Sequence, residues 1–278
     1  MSYGVRKIER LLGVKAFAVH GRKAALTSQG KLLYRRGKAL LEEASRLEHV
    51  ARELAKGWEP EIRIAVDVVF PTWLLLVCLA EFAHEHPATH IELYETTLGG
   101  HEDALHERTV DLAIGGHVPA GFIGDPLMPV RFVCVASPTH PLHQLGRPLT
   151  LEDLRPHRHL VIRDSSAQRS RAAGWLNETR WTVSHKATSI RAATMGLGFA
   201  WYPEDSVREE LRSGALKPLP LREGAERMAT LYLVYADRDA AGPGTQRLAE
   251  ILREEVRKNC AAESSRRDRA GKPAAAPG

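Results

Sequence analysis

Three cysteines in 278 residues are too few, too scattered and odd in number for a disulfide framework or a zinc ribbon. Cys78, Cys134 and Cys260 suit a reducing cytoplasm instead. No apolar run approaches the roughly 18 residues of a membrane span; the best, Trp73 to Ala80, has eight. Met1 to Arg10 mixes Arg, Lys and Glu, so no secretion signal is expected. Catalytic signatures are also missing: there is no G-x-S-x-G, no phosphate-binding loop and no H-E-x-x-H. Gly196-Leu197-Gly198 lacks the third glycine of a dinucleotide fingerprint and reads as a turn. His84-Glu85-His86 and His157-Arg158-His159 space their histidines two apart, so on a helix they would face different ways. The expectation is a protein that is not an enzyme and holds neither metal nor cofactor.

What is present is an uneven charge. Residues 1–57 carry a balance of +8, residues 58–256 one of −7, and residues 257–278 one of +4, for a net +5. A basic head on an acidic body suggests a polyanion-binding module joined to a domain with another task. The composition, 44% hydrophobic and 26% charged, is that of a folded globular protein. The length is about twice the commonest domain size, so more than one module is expected.

Residues 2–12 read as a helix, with Val5, Ile8, Leu11 and Leu12 on one face and Gly13 as its stop. Two short apolar segments, 17–20 and 24–27, flank Gly21-Arg22-Lys23 as a hairpin. Thr27 can cap a long helix from Ser28 to Lys56 whose broken apolar stripe, Leu32 to Leu54, suits pairing with another helix. After Gly57-Trp58-Glu59-Pro60 the pattern alternates strand and helix. Strands are expected at 62–66, 90–94, 110–114, 132–136, 160–163, 183–186, near Trp201 and at 231–236. Helices are expected from Phe70 to His86, and over 99–108, 189–195 and 245–258. Such alternation implies parallel sheets covered on both faces. Residues 259–278, rich in Ala, Ser, Arg and Pro, read as a disordered tail.

The run Ser2-Tyr3-Gly4-Val5-Arg6-Lys7-Ile8-Glu9-Arg10-Leu11-Leu12-Gly13-Val14-Lys15-Ala16-Phe17, then Gly21-Arg22, then Leu26-Thr27-Ser28-Gln29-Gly30, resembles the LysR-type transcriptional regulators. Asp111-Leu112-Ala113-Ile114 and the Gly196-Leu197-Gly198 loop before Pro203 fit the same family, to about Lys258. The resemblance implies an α/β fold: a winged helix-turn-helix segment (1–27), a linker and dimerisation helix (28–57), and a two-lobed effector domain of the periplasmic-binding type (58–258). The lobes are expected at about 61–132 plus 236–258, and at 133–235. It further implies double-stranded promoter DNA, a small effector, a second copy of the chain (as dimer or tetramer) and RNA polymerase as partners. Three departures stand out. Met1 falls inside the recognition helix, so the helices that precede it in the family have no counterpart, and the reading frame is expected to continue upstream. Ala16 and Ala18 stand where the family prefers a bulky apolar residue and an Arg. The tail is extra. The alternative is a cytoplasmic small-molecule-binding module that has lost specific DNA binding through this truncation.

In such a head Ser2, Tyr3, Arg6 and Lys7 would face a major groove, and Arg22 and Lys23 would touch phosphate at the wing tip unless they form a plain exposed turn. In the body, strand ends are where ligands collect. Val69, Pro71 and Thr72 follow the first strand, Thr97 and Leu98 the second, and His117 the third. Arg163, Asp164 and Ser165 follow a second-lobe strand, and Ser189 opens a helix. The resemblance implies a small, anionic effector near Thr72, Thr97 and Arg163. Plainer roles are also open: Thr72 as a helix cap, Arg163 paired with Asp164 or Glu95, and His117 as a loop residue. Cys78 reads as core.

Overall fold

A computed structural model describes residues 3–20, 23–55, 58–167 and 179–270. It divides into two compact units, Met1–Trp58 and Glu59–Gly278.

The first unit comprises α1 (Tyr3–Leu12), β1 (Phe17–His20), β2 (Lys23–Leu26) and α2 (Ser28–Ala55), with β1 and β2 antiparallel. Side-chain oxygens make its joints. Glu9 Oε1 accepts the N–H groups of Ala16 and Phe17 at 2.7 and 3.0 Å. Thr27 caps α2, as its sequence position predicts: its hydroxyl accepts the Gly30 N–H at 2.9 Å and donates to the Lys15 carbonyl at 2.7 Å. Gly30 lies so close to the hairpin that a Cβ there would sit 1.9 Å from the Ala16 carbonyl oxygen. Ile8, Leu11 and Leu12 on α1, and Leu32, Leu40 and Leu41 on α2, are exposed. Lys23 opens β2 rather than sitting in the turn.

The second unit runs β3 (Glu61–Asp67), α3 (Thr72–Glu85), β4 (His90–Thr96), α4 (Gly100–His106), β5 (Leu112–Gly115), β6 (Ile123–Ala136), α5 (Leu151–Leu154), β7 (His159–Ile162), β8 (Arg180–Val183), α6 (Lys186–Thr194), β9 (Phe199–Pro203), α7 (Arg208–Ser213), β10 (Lys217–Pro218), β11 (Glu226–Tyr235) and α8 (Pro243–Ala270). The sheet order is β4-β3-β5-β11-β6-β9-β7-β8, with β10 beside β6. Among the described strands, parallel pairing holds at the two ends, β4-β3-β5 and β9-β7-β8. The middle is antiparallel, which corrects the expectation of purely parallel sheets. The cause is the pair β6 and β11, 14 and 10 residues long, which run through both lobes in opposite directions. Their register slips between Leu231 and Tyr232, so that Leu127 is the extra residue, between Pro126 and Met128. A bulge accommodates prolines that cannot donate to a ladder.

The lobes have separate cores. In the first, Leu74, Cys78 and Phe82 of α3 meet Leu248, Ile251, Leu252 and Val256 of α8 over Ile62, Ile64 and Leu112. Burying each large side chain is worth roughly 1.5–3 kcal/mol. Leu231, Leu233 and Tyr235 also pack there, so the return crossing lies before Leu231 rather than at the expected 235/236. In the second, Val133, Val135, Leu160, Ile190 and Tyr202 form one cluster and Cys134, Leu142, Leu154 and Phe199 another. The chain enters this unit at Glu59, whose carboxylate accepts the Gly244 and Thr245 N–H groups at 2.9 and 3.1 Å and so caps α8. α8 continues to Ala270, so 259–270 is helical and not the disordered segment expected; residues 271–278 lie outside the described residues.

Candidate functional site

Where the lobes meet, a cavity of about 370 Å³ is lined by Val68, Val69, Thr97 and Leu98 from the first lobe and by Phe132, β7, Lys186, Trp201 to Pro203 and Arg227 to Ala229 around the crossing. Its size is at the lower end for small-ligand sites, and its wall is mostly apolar. The polar groups are few. Lys186, at the first turn of α6, donates to the Val68 carbonyl across the lobe boundary at 2.7 Å and to Ser206 Oγ at 3.2 Å. Burial pushes its pKa down, against Glu95, Asp205 and Asp67, which raise it. The Arg227 guanidinium lies 4.4 Å over the Trp201 ring. His159 stacks on Phe199 with ring centres 5.2 Å apart. Burial, then Arg227 and Arg180, hold its pKa near 4, so the ring is neutral at physiological pH.

One side of the cavity is closed by a latch between the loop after β4 and the loop after β7. Ser165 Oγ accepts the Thr97 N–H at 2.9 Å and donates to the Thr97 carbonyl at 3.1 Å. Asp164 accepts the N–H groups of Gly99 and Ser166 at 3.1 and 2.9 Å. Leu98 is held in a left-handed conformation, φ 55°. Its N–H donates to Asp67 at 2.9 Å, and its carbonyl faces His101 Nδ1 at 2.8 Å. Asp67 also accepts the Val69 N–H, at 2.9 Å. Burial raises the Asp67 pKa to about 6; the two amides and Lys186 lower it, and the nearby Asp164 raises it. On the other side, Trp73 Nε1 donates to Asp205 of the second lobe at 3.1 Å.

Of the predicted ligand residues, Val69, Thr97 and Leu98 line this cavity. The others do not. Thr72 is exposed at the first helical position of α3, and the cap position is Pro71, which lines a different depression. Arg163 is exposed and outside the cavity wall. Asp164 and Ser165 are occupied by the latch. Ser189 is fully buried and shares a 2.7 Å hydrogen bond with the Tyr202 hydroxyl. His117 lies at a second recess and pairs with Glu102 at 3.1 Å. Lys186, Phe132, Trp201 and Arg227 were not singled out from the sequence. Lys186, expected at the end of a strand over 183–186, opens α6 instead. In the first unit Arg6 and Lys7 are exposed on α1, and Tyr3 begins it. Ser2 and Arg22 lie outside the described residues, as do the side chains of Tyr3 and Lys23. No group of three or more His, Cys, Asp or Glu among the described residues could hold a metal. No helix among them is long and apolar enough to cross a membrane.

Two lobes joined by a pair of long crossing strands, with an apolar cavity at the junction, define a small-ligand-binding module of the periplasmic-binding type. The family model described as the LysR substrate binding domain matches residues 55–257, and the chain belongs to the LysR-type transcriptional regulators. It is similar to the uncharacterized HTH-type transcriptional regulator YeeY of Escherichia coli K12, 32% identical over 226 residues, covering 78% of this chain and 72% of that protein. It is 28% identical over 223 residues to the probable HTH-type regulator YhaJ of the same organism, covering 78% and 74%. Among solved structures, CrgA of Neisseria meningitidis, a LysR-type transcriptional regulator, matches 91% of this chain and 87% of its own with a TM-score of 0.56 at 21% identity. The regulatory domain of CcmR from Synechocystis, solved in complex with 2-PG, matches 70% and 97% with a TM-score of 0.58 at 16% identity.

Proposed function

We propose that the protein is a cytoplasmic, homo-oligomeric regulator that binds double-stranded promoter DNA and responds to a small anionic effector held between its lobes. The observation that carries this reading is the 370 Å³ cavity, walled by both lobes and crossed by the Lys186–Val68 bond. A ligand seated there touches both lobes at once. It therefore favours one lobe arrangement over others in proportion to its differential contacts. DNA contact is assigned to Ser2, Tyr3, Arg6, Lys7, Arg22 and Lys23, within a segment of balance +8. Self-association is assigned to the exposed Leu32, Leu40 and Leu41 of α2, whose seam suits a second copy. RNA polymerase is the further partner through which a regulator at a promoter would act.

The test is retardation of DNA from the region upstream of the protein's own gene. With about four phosphates neutralised per protomer, a dimer loses roughly 10⁴-fold in affinity between 50 and 200 mM salt. Salt-insensitive or absent retardation would instead favour a stand-alone ligand-binding module, a reading supported by the second unit having cores of its own.

A further inference from the structure

The cavity has a shape that comes from an interrupted ladder. β7 and β9 are parallel neighbours, but their pairing consists of one register step, His159 with Phe199. The Phe199 N–H donates to the Arg158 carbonyl at 3.0 Å, which fixes the phase of the ladder. The next step would join Trp201 to Leu160 and Ile162, and it is not formed. On their other sides both strands are paired, β7 with β8 and β9 with β6. The peptide groups of Leu160, Ile162 and Trp201 that belong to the missing step therefore turn into the gap, and these residues line the cavity. A gap between two strand edges is a slot: narrow across the sheet, extended along it, and edged with N–H and C=O groups.

The charges at the slot are also restrictive. Lys186 and Arg227 are the cations in the wall, and no carboxylate lines it. Arg227 is exposed, at the mouth, over Trp201. Lys186 lies deeper, with two of its three protons directed at Val68 and Ser206. The carboxylates of Glu95, Asp205 and Asp67 already act on it, Asp67 being buried. One more anion fits the remaining proton; a second negative charge would meet those carboxylates.

Resting on the effector reading above, we propose that the ligand is a flat ring bearing a single carboxylate, held edge-on between β7 and β9 with its charge on Lys186. Isothermal titration of the full chain with three matched probes tests this: 2-naphthoate, decahydro-2-naphthoate (same charge, not flat) and 2-naphthamide (flat, uncharged). Succinate and inorganic phosphate are the comparison anions. The expected result is that 2-naphthoate binds at least tenfold tighter than each of the others. Lys186→Met removes that preference over the amide, and Arg163→Ala, outside the cavity, leaves it intact. No binding of 2-naphthoate at millimolar concentration, tighter binding of succinate or phosphate, or an unchanged preference in Lys186→Met overturns the proposal. Two cavity-filling variants, Leu98→Trp at the exposed edge and Ala229→Trp elsewhere in the wall, separate this from the wider reading. If they abolish binding of succinate or phosphate, the cavity is the effector site and only the ligand class is wrong. If they leave binding of every probe unchanged, the cavity reading fails as well.

Discussion

Glu59 stands where the chain enters the effector-binding unit, and its removal should loosen that unit measurably. Its two carboxylate oxygens each accept one backbone N–H of the first turn of α8, from Gly244 and Thr245. Those amides have no intrahelical partner of their own. Loss of a helix cap costs about 0.5–2 kcal/mol, and the charge adds about 0.3–1 kcal/mol through the helix dipole. α8 is a core helix: Leu248, Ala249, Ile251 and Leu252 are completely buried, so fraying of its first turn is felt by the first-lobe core. For Glu59→Ala the expected loss is therefore about 1–2 kcal/mol, or roughly 2–8 °C in the melting temperature of a unit this size. Glu59→Gln keeps one acceptor and loses the charge, so it should lie between the two. Burial raises the Glu59 pKa, but the bonds from Thr245 and Gly244 outweigh it, and the net shift is downward. A depressed carboxylate contributes stability that is present above its ordinary pKa of 4.5 and is lost as pH falls through the folded value. Melting followed by circular dichroism at pH 7 and at pH 3 is the assay. Equal melting of Glu59→Ala and the parent at pH 7, or a gap just as large at pH 3, would refute the capping role.

Three further outcomes can be checked. Gly30→Val should displace α2 from the hairpin, because its Cβ meets the Ala16 carbonyl oxygen at 1.9 Å; circular dichroism should show a loss of more than about 2 kcal/mol, and a variant as stable as the parent would contradict the packing. In native protein the thiol of Cys260 should react with iodoacetamide before those of Cys78 and Cys134. Burial pushes the Cys78 thiol to about 12 and also raises that of Cys134, so equal labelling rates would count against the described core. Burial holds His140 and His159 near 4, below their ordinary 6.5, so their contribution is complete above pH 6.5 and is lost as pH falls toward 4. Asp67 works the other way: its raised pKa contributes stability below 3.8 that disappears as pH rises through about 6. The urea midpoint should therefore fall between pH 6.5 and 4, with a smaller fall in His159→Phe; the same fall in both proteins would remove His159 from the account.

Most elements are legible because each is a local pattern. α1 follows from one apolar face, the α2 start from Thr27, α3 from an apolar helix between Pro71 and Pro87, and β5 from Leu112 to Ile114 before two glycines. The direction of the strands is not local. Strand-helix alternation reads as parallel throughout. The two strands that break this rule are long ones, and their polar and proline positions, Asp125, Pro126 and Pro129 in β6 and Arg227 and Thr230 in β11, disguise them as loops.

The site failed differently. Residues with hydroxyls, carboxylates and glycines at strand ends are what a ligand needs, and they are equally what a latch between two lobes needs, since both tasks consist of satisfying peptide N–H and C=O groups. Ser165 and Asp164 serve the latch, whereas Thr97 serves both, bonding to Ser165 through its peptide and lining the cavity. Which task a residue performs depends on the distance between loops more than sixty residues apart in sequence, such as Gly99 and Asp164. The wall itself gave no signal because Leu160, Ile162 and Phe132 look the same whether they face a core or a slot. A cavity of this kind is written in what fails to pair, here the second rung between β7 and β9. A missing pairing has no residue type of its own.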